Sequence, residues 1–208
     1  MIAIIDYGAG NVHSVQRAFE HCGAEPVLTA DSAVVVNADR LVLPGVGAFA
    51  DGMRSLRERG LIEPIRRFVQ SGRPFLGICL GMQMLATSSE EFGVNEGLNL
   101  MPGRVVPIPS HDVDGVPHKI PHIGWAELVP AADRAGTIFE DTPEGTSVYL
   151  VHSFKFEPDA AGHRLADCFY GGHRIAAAVR LNNMTACQFH PEKSGEAGLR
   201  MIAAFLRQ

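Results

Sequence analysis

Over the first eighty positions, short apolar runs alternate with segments of helical spacing. Ile2–Ile5 is an uninterrupted apolar stretch, and Val12, Val15 and Phe19 then recur one turn apart through residues 12–21. Further strand-like runs fall at 26–28, 40–43 and 74–78. Helical segments at 49–59 and 62–70 separate the last two, with Pro64 compatible only with a first turn. This order predicts an α/β fold, a mostly parallel central sheet covered by helices on both faces.

The pattern changes in the second half. Between 93 and 130 proline and glycine are frequent, and the strand-like runs (104–108 and 127–129) are short. Runs at 147–151, 164–169, 174–179 and 184–189 predict an antiparallel β extension that returns to the main sheet. From about Gly195 the spacing becomes helical, with Ser194 as the expected cap and Leu199, Ile202, Ala203 and Leu206 on one face. No repeat, low-complexity tract or linker divides the chain, so one domain over 1–208 is expected.

Composition adds exclusions. With 46% hydrophobic and 20% charged residues the chain has the balance of a globular protein. A net charge of −5 disfavours a nucleic-acid partner, which needs a concentrated basic surface. The opening residues lack a basic leader, and no apolar run approaches the ~18 residues of a membrane span. A cytoplasmic protein without membrane contact is the expectation. The four cysteines (Cys22, Cys79, Cys168 and Cys187) contain no C-x-x-C pair and are expected as free thiols.

Cys79 stands apart. It closes an apolar strand inside Gly77-Ile78-Cys79-Leu80-Gly81, and a helical segment follows. Glycines on both sides permit the sharp strand-to-helix turn that exposes a nucleophile above a sheet. A thiol nucleophile needs a base, and the base needs an orienter. His190 ends the run 186–190, and Glu192 lies two residues on across Pro191, on the same side if the chain is extended. The reading is Cys79 as nucleophile, His190 as acid and base, and Glu192 as orienter. Gly45-Val46-Gly47 follows the third strand, where an oxyanion-binding loop and a plain tight turn fit equally well.

Two other patterns lead nowhere. Gly8-Ala9-Gly10 with Asp31 imitates a dinucleotide fingerprint, but His13 occupies the position of its third glycine. His111, His118 and His122 suggest a metal, yet Pro117 and Pro121 break any helix that would align them. Neither a cofactor nor a metal is expected.

Gly77-Ile78-Cys79-Leu80-Gly81-Met82-Gln83, together with Phe189-His190-Pro191-Glu192-Lys193-Ser194, resembles the class I, triad-type glutamine amidotransferases. Residues 5–11, 43–49, 121–125 and 149–154 resemble one branch of that family, glutaminase subunits that serve a (β/α)₈-barrel synthase in histidine biosynthesis. The resemblance covers essentially the whole chain. It implies hydrolysis of glutamine to glutamate and ammonia, with the ammonia passed to the barrel subunit of a heterodimer. It also implies that Val46, Gly47 and Leu80 form the oxyanion hole. Gly45, Gln83, Glu91, His152, Ser153 and Phe154 would hold the substrate, and Asn11 and Trp125 would meet the partner. Partner binding would complete the oxyanion hole by reorienting a peptide within 45–47.

The chain departs from the branch at Ala126, where asparagine is usual, and at Phe154, where tyrosine is common. A glutaminase serving another synthase, or a cysteine hydrolase of the same fold acting alone, fits the triad equally.

Overall fold

The computed structural model describes residues 1–208. An eight-stranded sheet runs through it. Five parallel strands lie in the order Pro26–Thr29, Ile2–Ile5, Arg40–Gly45, Phe75–Cys79 and Met184–Cys187. Antiparallel strands His173–Leu181, Arg164–Tyr170 and Val129–Pro130 extend it on one side. This is the α/β arrangement with an antiparallel extension that the alternation predicts.

The parallel strands are apolar throughout because both faces are covered. Alternate residues feed two cores. Ala3, Ile5, Leu41, Leu43 and Phe75 face one layer, where they meet helices Phe49–Glu58 and Ile62–Gln70. Ile2, Ile4, Val42, Leu76 and Ile78 face the other, against helices Val12–His21 and Gly195–Arg207. There Phe19 meets Phe205 edge-on, with ring centroids 6.2 Å apart. Each fully buried ring of this kind stabilises the layer by about 1.5–3 kcal/mol.

Two smaller β units sit beyond the sheet. Strands Phe154–Pro158, Gly103–Pro107, Ser88–Ser89 and Asn95–Glu96 form one, and the antiparallel ribbon of His122–Glu127 with Ser147–His152 forms the other.

Several local expectations differ from the structure. Asp31 caps a short helix, Ser32–Asn37, which the apolar run Val34-Val35-Val36 conceals. Its carboxylate accepts from the Ala33 N–H at 2.7 Å. The C-terminal helix buries Gly198, Met201, Ile202 and Phe205, so its inward face is rotated from the expected stripe, and Leu199, Ala203 and Leu206 lie at its edge. Ser194 does not cap that helix with its side chain, which is buried and bonded elsewhere.

Candidate active site

The carboxyl ends of the parallel strands converge on one edge of the sheet, the usual crevice of an open α/β fold. Cys79 ends its strand with φ +54° and ψ −110°, a left-handed conformation, and helix Leu80–Gln83 starts immediately after it. Its two glycines allow the turn by absence of side chains. A methyl on Gly81 would collide with the Leu43 carbonyl oxygen, and one on Gly77 would come within 3.1 Å of Ala186 Cβ. The neighbouring strand ends in register at Gly45, opposite Cys79. A methyl there would meet the Tyr7 hydroxyl and lie 2.9 Å from Leu80 Cβ.

His190 follows the adjacent strand, Met184–Cys187, which pairs with the strand that ends at Cys79. Its Nδ1–H donates to Glu192 Oε1 at 2.8 Å, with both side chains almost wholly buried. The contact does not come from extended chain as the spacing suggests. Pro191–Lys193 is a single 3₁₀ turn, which folds Glu192 back under the ring. His190 Nε2 is buried with no protein acceptor. Burial works against the charge on this imidazole, but the neighbouring Cys79 sulfur and the Glu192 carboxylate outweigh it and push the pKa up to about 10.

The backbone of His190 is clamped by a closed set of three bonds. Its N–H donates to Tyr149 O at 3.0 Å, the Tyr149 N–H donates to Ser194 Oγ at 3.0 Å, and the Ser194 hydroxyl donates to His190 O at 2.7 Å. Ser194 is therefore spent on holding the histidine, which is why it leaves the helix start uncapped.

Cys79 and His190 open onto one cleft of about 290 Å³. Val46, Gly47, Leu80, Gln83, Glu91, His152, Ser153 and Phe154 line the same cleft, as does Pro121. Gly45, also expected there, is buried and does not line it. Glu91 Oε2 accepts from the Phe49 N–H at 2.6 Å, which fixes the carboxylate at the rim. Val46 and Gly47, beyond the strand end, donate no backbone hydrogen bond, and Gly47 has φ +94° with open space around it. Leu80 begins its helix, so its N–H has no acceptor within the helix.

His152 is buried. Its Nδ1–H donates to Phe154 O at 2.9 Å, so Nε2 accepts from His122 Nδ1–H at 3.1 Å. Burial keeps this ring neutral, pushing its pKa down to about 4, and lowers that of His122 as well. Gln83 is also buried, and its Nε2 donates to Phe154 O at 3.1 Å and to Gln188 Oε1 at 2.9 Å. Gln188 lies outside the quoted motifs, and Tyr7 sits in the 5–11 stretch without an assigned role; the fold brings both beside Cys79.

Asn11 and Trp125 lie outside the cleft. The Asn11 side chain makes no capping bond to the helix it precedes and is exposed. Trp125 is 58% exposed beside Ile123 at 53%, on the outer side of the ribbon. No group of three or more His, Cys, Asp or Glu side chains converges as a metal site.

A glycine-framed cysteine above a parallel sheet, a buried His–Glu pair and a rim of backbone donors define a cysteine-dependent amidohydrolase site. The chain belongs to the class-I glutamine amidotransferase family, whose model matches residues 3–208. It is 54% identical to imidazole glycerol phosphate synthase subunit HisH 1 of Legionella pneumophila (strain Paris), across 99% of this chain and 98% of that one. It is 51% identical to subunit HisH of Syntrophotalea carbinolica, with the same coverage. Among solved structures a glutamine amidotransferase shares the fold at TM-score 0.74 and 18% identity, covering 100% of this chain and 98% of the other. PurLQS from Thermotoga maritima does so at the same TM-score and identity, covering 99% of this chain and 97% of that one. No helix is long and apolar enough to cross a membrane.

Proposed function

We propose that this glutamine amidotransferase is the glutaminase subunit of an imidazole glycerol phosphate synthase in histidine biosynthesis, with 1–208 acting as one domain. The observation that carries the reading is near-full-length identity of 54% to such a subunit, in a chain whose Cys79 and His190 line one cleft, with Glu192 hydrogen-bonded to His190.

In this reading the proton of the Cys79–His190 pair sits on His190 Nε2, whose pKa is raised, while its Nδ1–H stays bonded to Glu192. The thiolate attacks the side-chain carbonyl of glutamine, forming the S–C bond and placing negative charge on oxygen. The N–H groups of Val46, Gly47 and Leu80 stabilise that oxyanion. His190 then gives its proton to the leaving nitrogen, the C–N bond breaks, and ammonia departs from a γ-glutamyl thioester. Water activated by His190 releases glutamate. Gln83 and Glu91 grip the substrate's α-carbon groups, with the chain at His152, Ser153 and Phe154 along its other side. Glu91 Oε2 is already held by Phe49, which supports a fixed carboxylate facing the substrate ammonium.

The partner is a (β/α)₈-barrel synthase that receives the ammonia and joins it to a phosphoribulosyl nucleotide. It docks on the face that carries Asn11 and Trp125. Its docking reorients a peptide within Gly45–Gly47 and so completes the oxyanion hole. The open surroundings and left-handed φ of Gly47 support a segment able to turn. The test is glutamine-dependent ammonia release by wild type and Cys79→Ala, with and without the barrel and its nucleotide. The expected result is activity that requires Cys79 and rises on addition of the barrel. Hydrolysis that persists in Cys79→Ala defeats the nucleophile assignment, and full activity indifferent to the barrel defeats the partner-coupled reading.

A further inference from the structure

Gln188 follows strand Met184–Cys187, two residues before His190, and its side chain is wholly buried. Its backbone N–H donates to Ala177 O at 2.8 Å, which fixes its position on the sheet. The carboxamide makes two contacts. Oε1 accepts from Gln83 Nε2 at 2.9 Å, and Nε2 donates to Cys79 Sγ at 3.7 Å.

The second contact needs a reason. A neutral thiol is a weak acceptor, so a buried amide donor aimed at one recovers little of its lost hydration. A thiolate is a charged acceptor, for which the same donor forms a charge-assisted bond. The orientation is enforced from the other end. Both Nε2 protons of Gln83 are committed, one to Phe154 O and one to Gln188. Only the oxygen of Gln188 can face that donor, which leaves its nitrogen toward sulfur.

We propose that Gln188 is a further catalytic residue, whose side-chain N–H stabilises the Cys79 thiolate, and that Gln83 holds it in that orientation. The proposal rests on Cys79 being the nucleophile. With the proton of the Cys79–His190 pair on His190 Nε2, the negative charge on Sγ is stabilised by the imidazolium and by the Gln188 N–H. As the S–C bond forms, that charge moves to the substrate oxygen and the Gln188 bond weakens. It strengthens again when the S–C bond of the thioester breaks and the thiolate leaves. Gln188 thus favours the reactive form at neutral pH and assists its release in the second half of the reaction.

The experiment follows the pH dependence of Cys79 alkylation by iodoacetamide, mapped by mass spectrometry, in full-length wild type, Gln188→Met and Gln188→Glu. Ammonia release from glutamine is measured over the same pH range. In Gln188→Met the alkylation midpoint should rise by about one pH unit. Hydrolysis should fall about tenfold near neutral pH and recover toward wild type in alkali, with KM little changed. Gln188→Glu keeps the shape and the acceptor for Gln83 while removing the donor, so it carries the test if the methionine variant does not fold. Its midpoint should rise further. Midpoints that superimpose on wild type, or a loss of rate uniform in pH, overturn the proposal. Cys79→Ala separates the two claims. If it is inactive and the Gln188 midpoints are unshifted, only the Gln188 proposal fails; if it is active, the nucleophile reading fails.

Discussion

Acidification should destabilise this protein through buried imidazoles, most strongly His152, with His122 acting in the same sense. The His152 ring is neutral in the folded state because burial lowers its pKa from 6.5 to about 4. The unfolded chain binds a proton there below about pH 6.5, and the folded protein does so only near 4. Between those values the unfolded state holds more protons, so stability rises with pH and falls as acid is added. Integrating the difference from about pH 7.5 to about 5.0 gives a loss of about 2 kcal/mol from this group. Replacing His152 with glutamine supplies a non-titrating donor and acceptor for Phe154 O and His122, the two partners of the native ring. His190, with its pKa raised to about 10, acts in the opposite sense. Its stabilisation is full below about pH 6.5 and is lost as pH rises through 10, and it is common to both proteins, so it cancels. The assay is urea unfolding followed by far-ultraviolet circular dichroism at the two pH values. With an m-value of about 2 kcal/mol per molar urea, the wild-type midpoint should fall about 1 M further on acidification than that of His152→Gln. Equal falls in the two proteins would refute the claim that His152 is held neutral by burial.

Three further outcomes follow from the geometry. Glu192→Gln keeps the shape beside His190 but removes the charge. It should lower kcat by about 10²–10⁴ with a folded protein and a nearly unchanged KM, as steady-state ammonia release will report. Gly81→Ala forces a methyl against the Leu43 carbonyl oxygen. A loss of about 3 kcal/mol or more is expected by thermal melting, and a wild-type Tm would contradict the close approach of strand and helix. Trp125→Ala removes an exposed ring, so stability should change by less than about 0.5 kcal/mol. Affinity for the barrel partner, measured by calorimetry, should fall about tenfold or more. Unaltered affinity would move the proposed docking surface elsewhere.

Much of this architecture is legible in the chain because its signals are local. Uninterrupted apolar runs such as Ile2–Ile5 mark strands buried on both faces, and the glycine frame of Cys79 marks the elbow wherever the strand sits in the sheet. His190 and Glu192 stand out for the same reason, although their contact comes from a 3₁₀ turn at Pro191 rather than from extended chain. Local signals also mislead. Val34-Val35-Val36 has the composition of a strand, yet Asp31 starts a six-residue helix there by accepting from the next turn. Ser194 has the residue type and position of a cap, but Tyr149, far away in the chain, competes for its oxygen and wins.

Roles that depend on strand order have no local trace. The Cys79 strand is joined on one side to Arg40–Gly45 and on the other to Met184–Cys187, which returns after a long excursion through the two small β units. That return brings Cys187 into register with Ile78, one residue short of the elbow, and so carries Gln188 and His190 past Cys79. Gln188 has no glycine frame, proline or charge to distinguish it from a surface glutamine. What distinguishes it is complete burial with only Gln83 and Cys79 for its carboxamide. A buried amide in that setting costs stability unless the sulfur it faces carries charge. The proposed stabilisation of Cys79 thus rests on a contact between residues about a hundred positions apart, created by sheet register rather than by any motif.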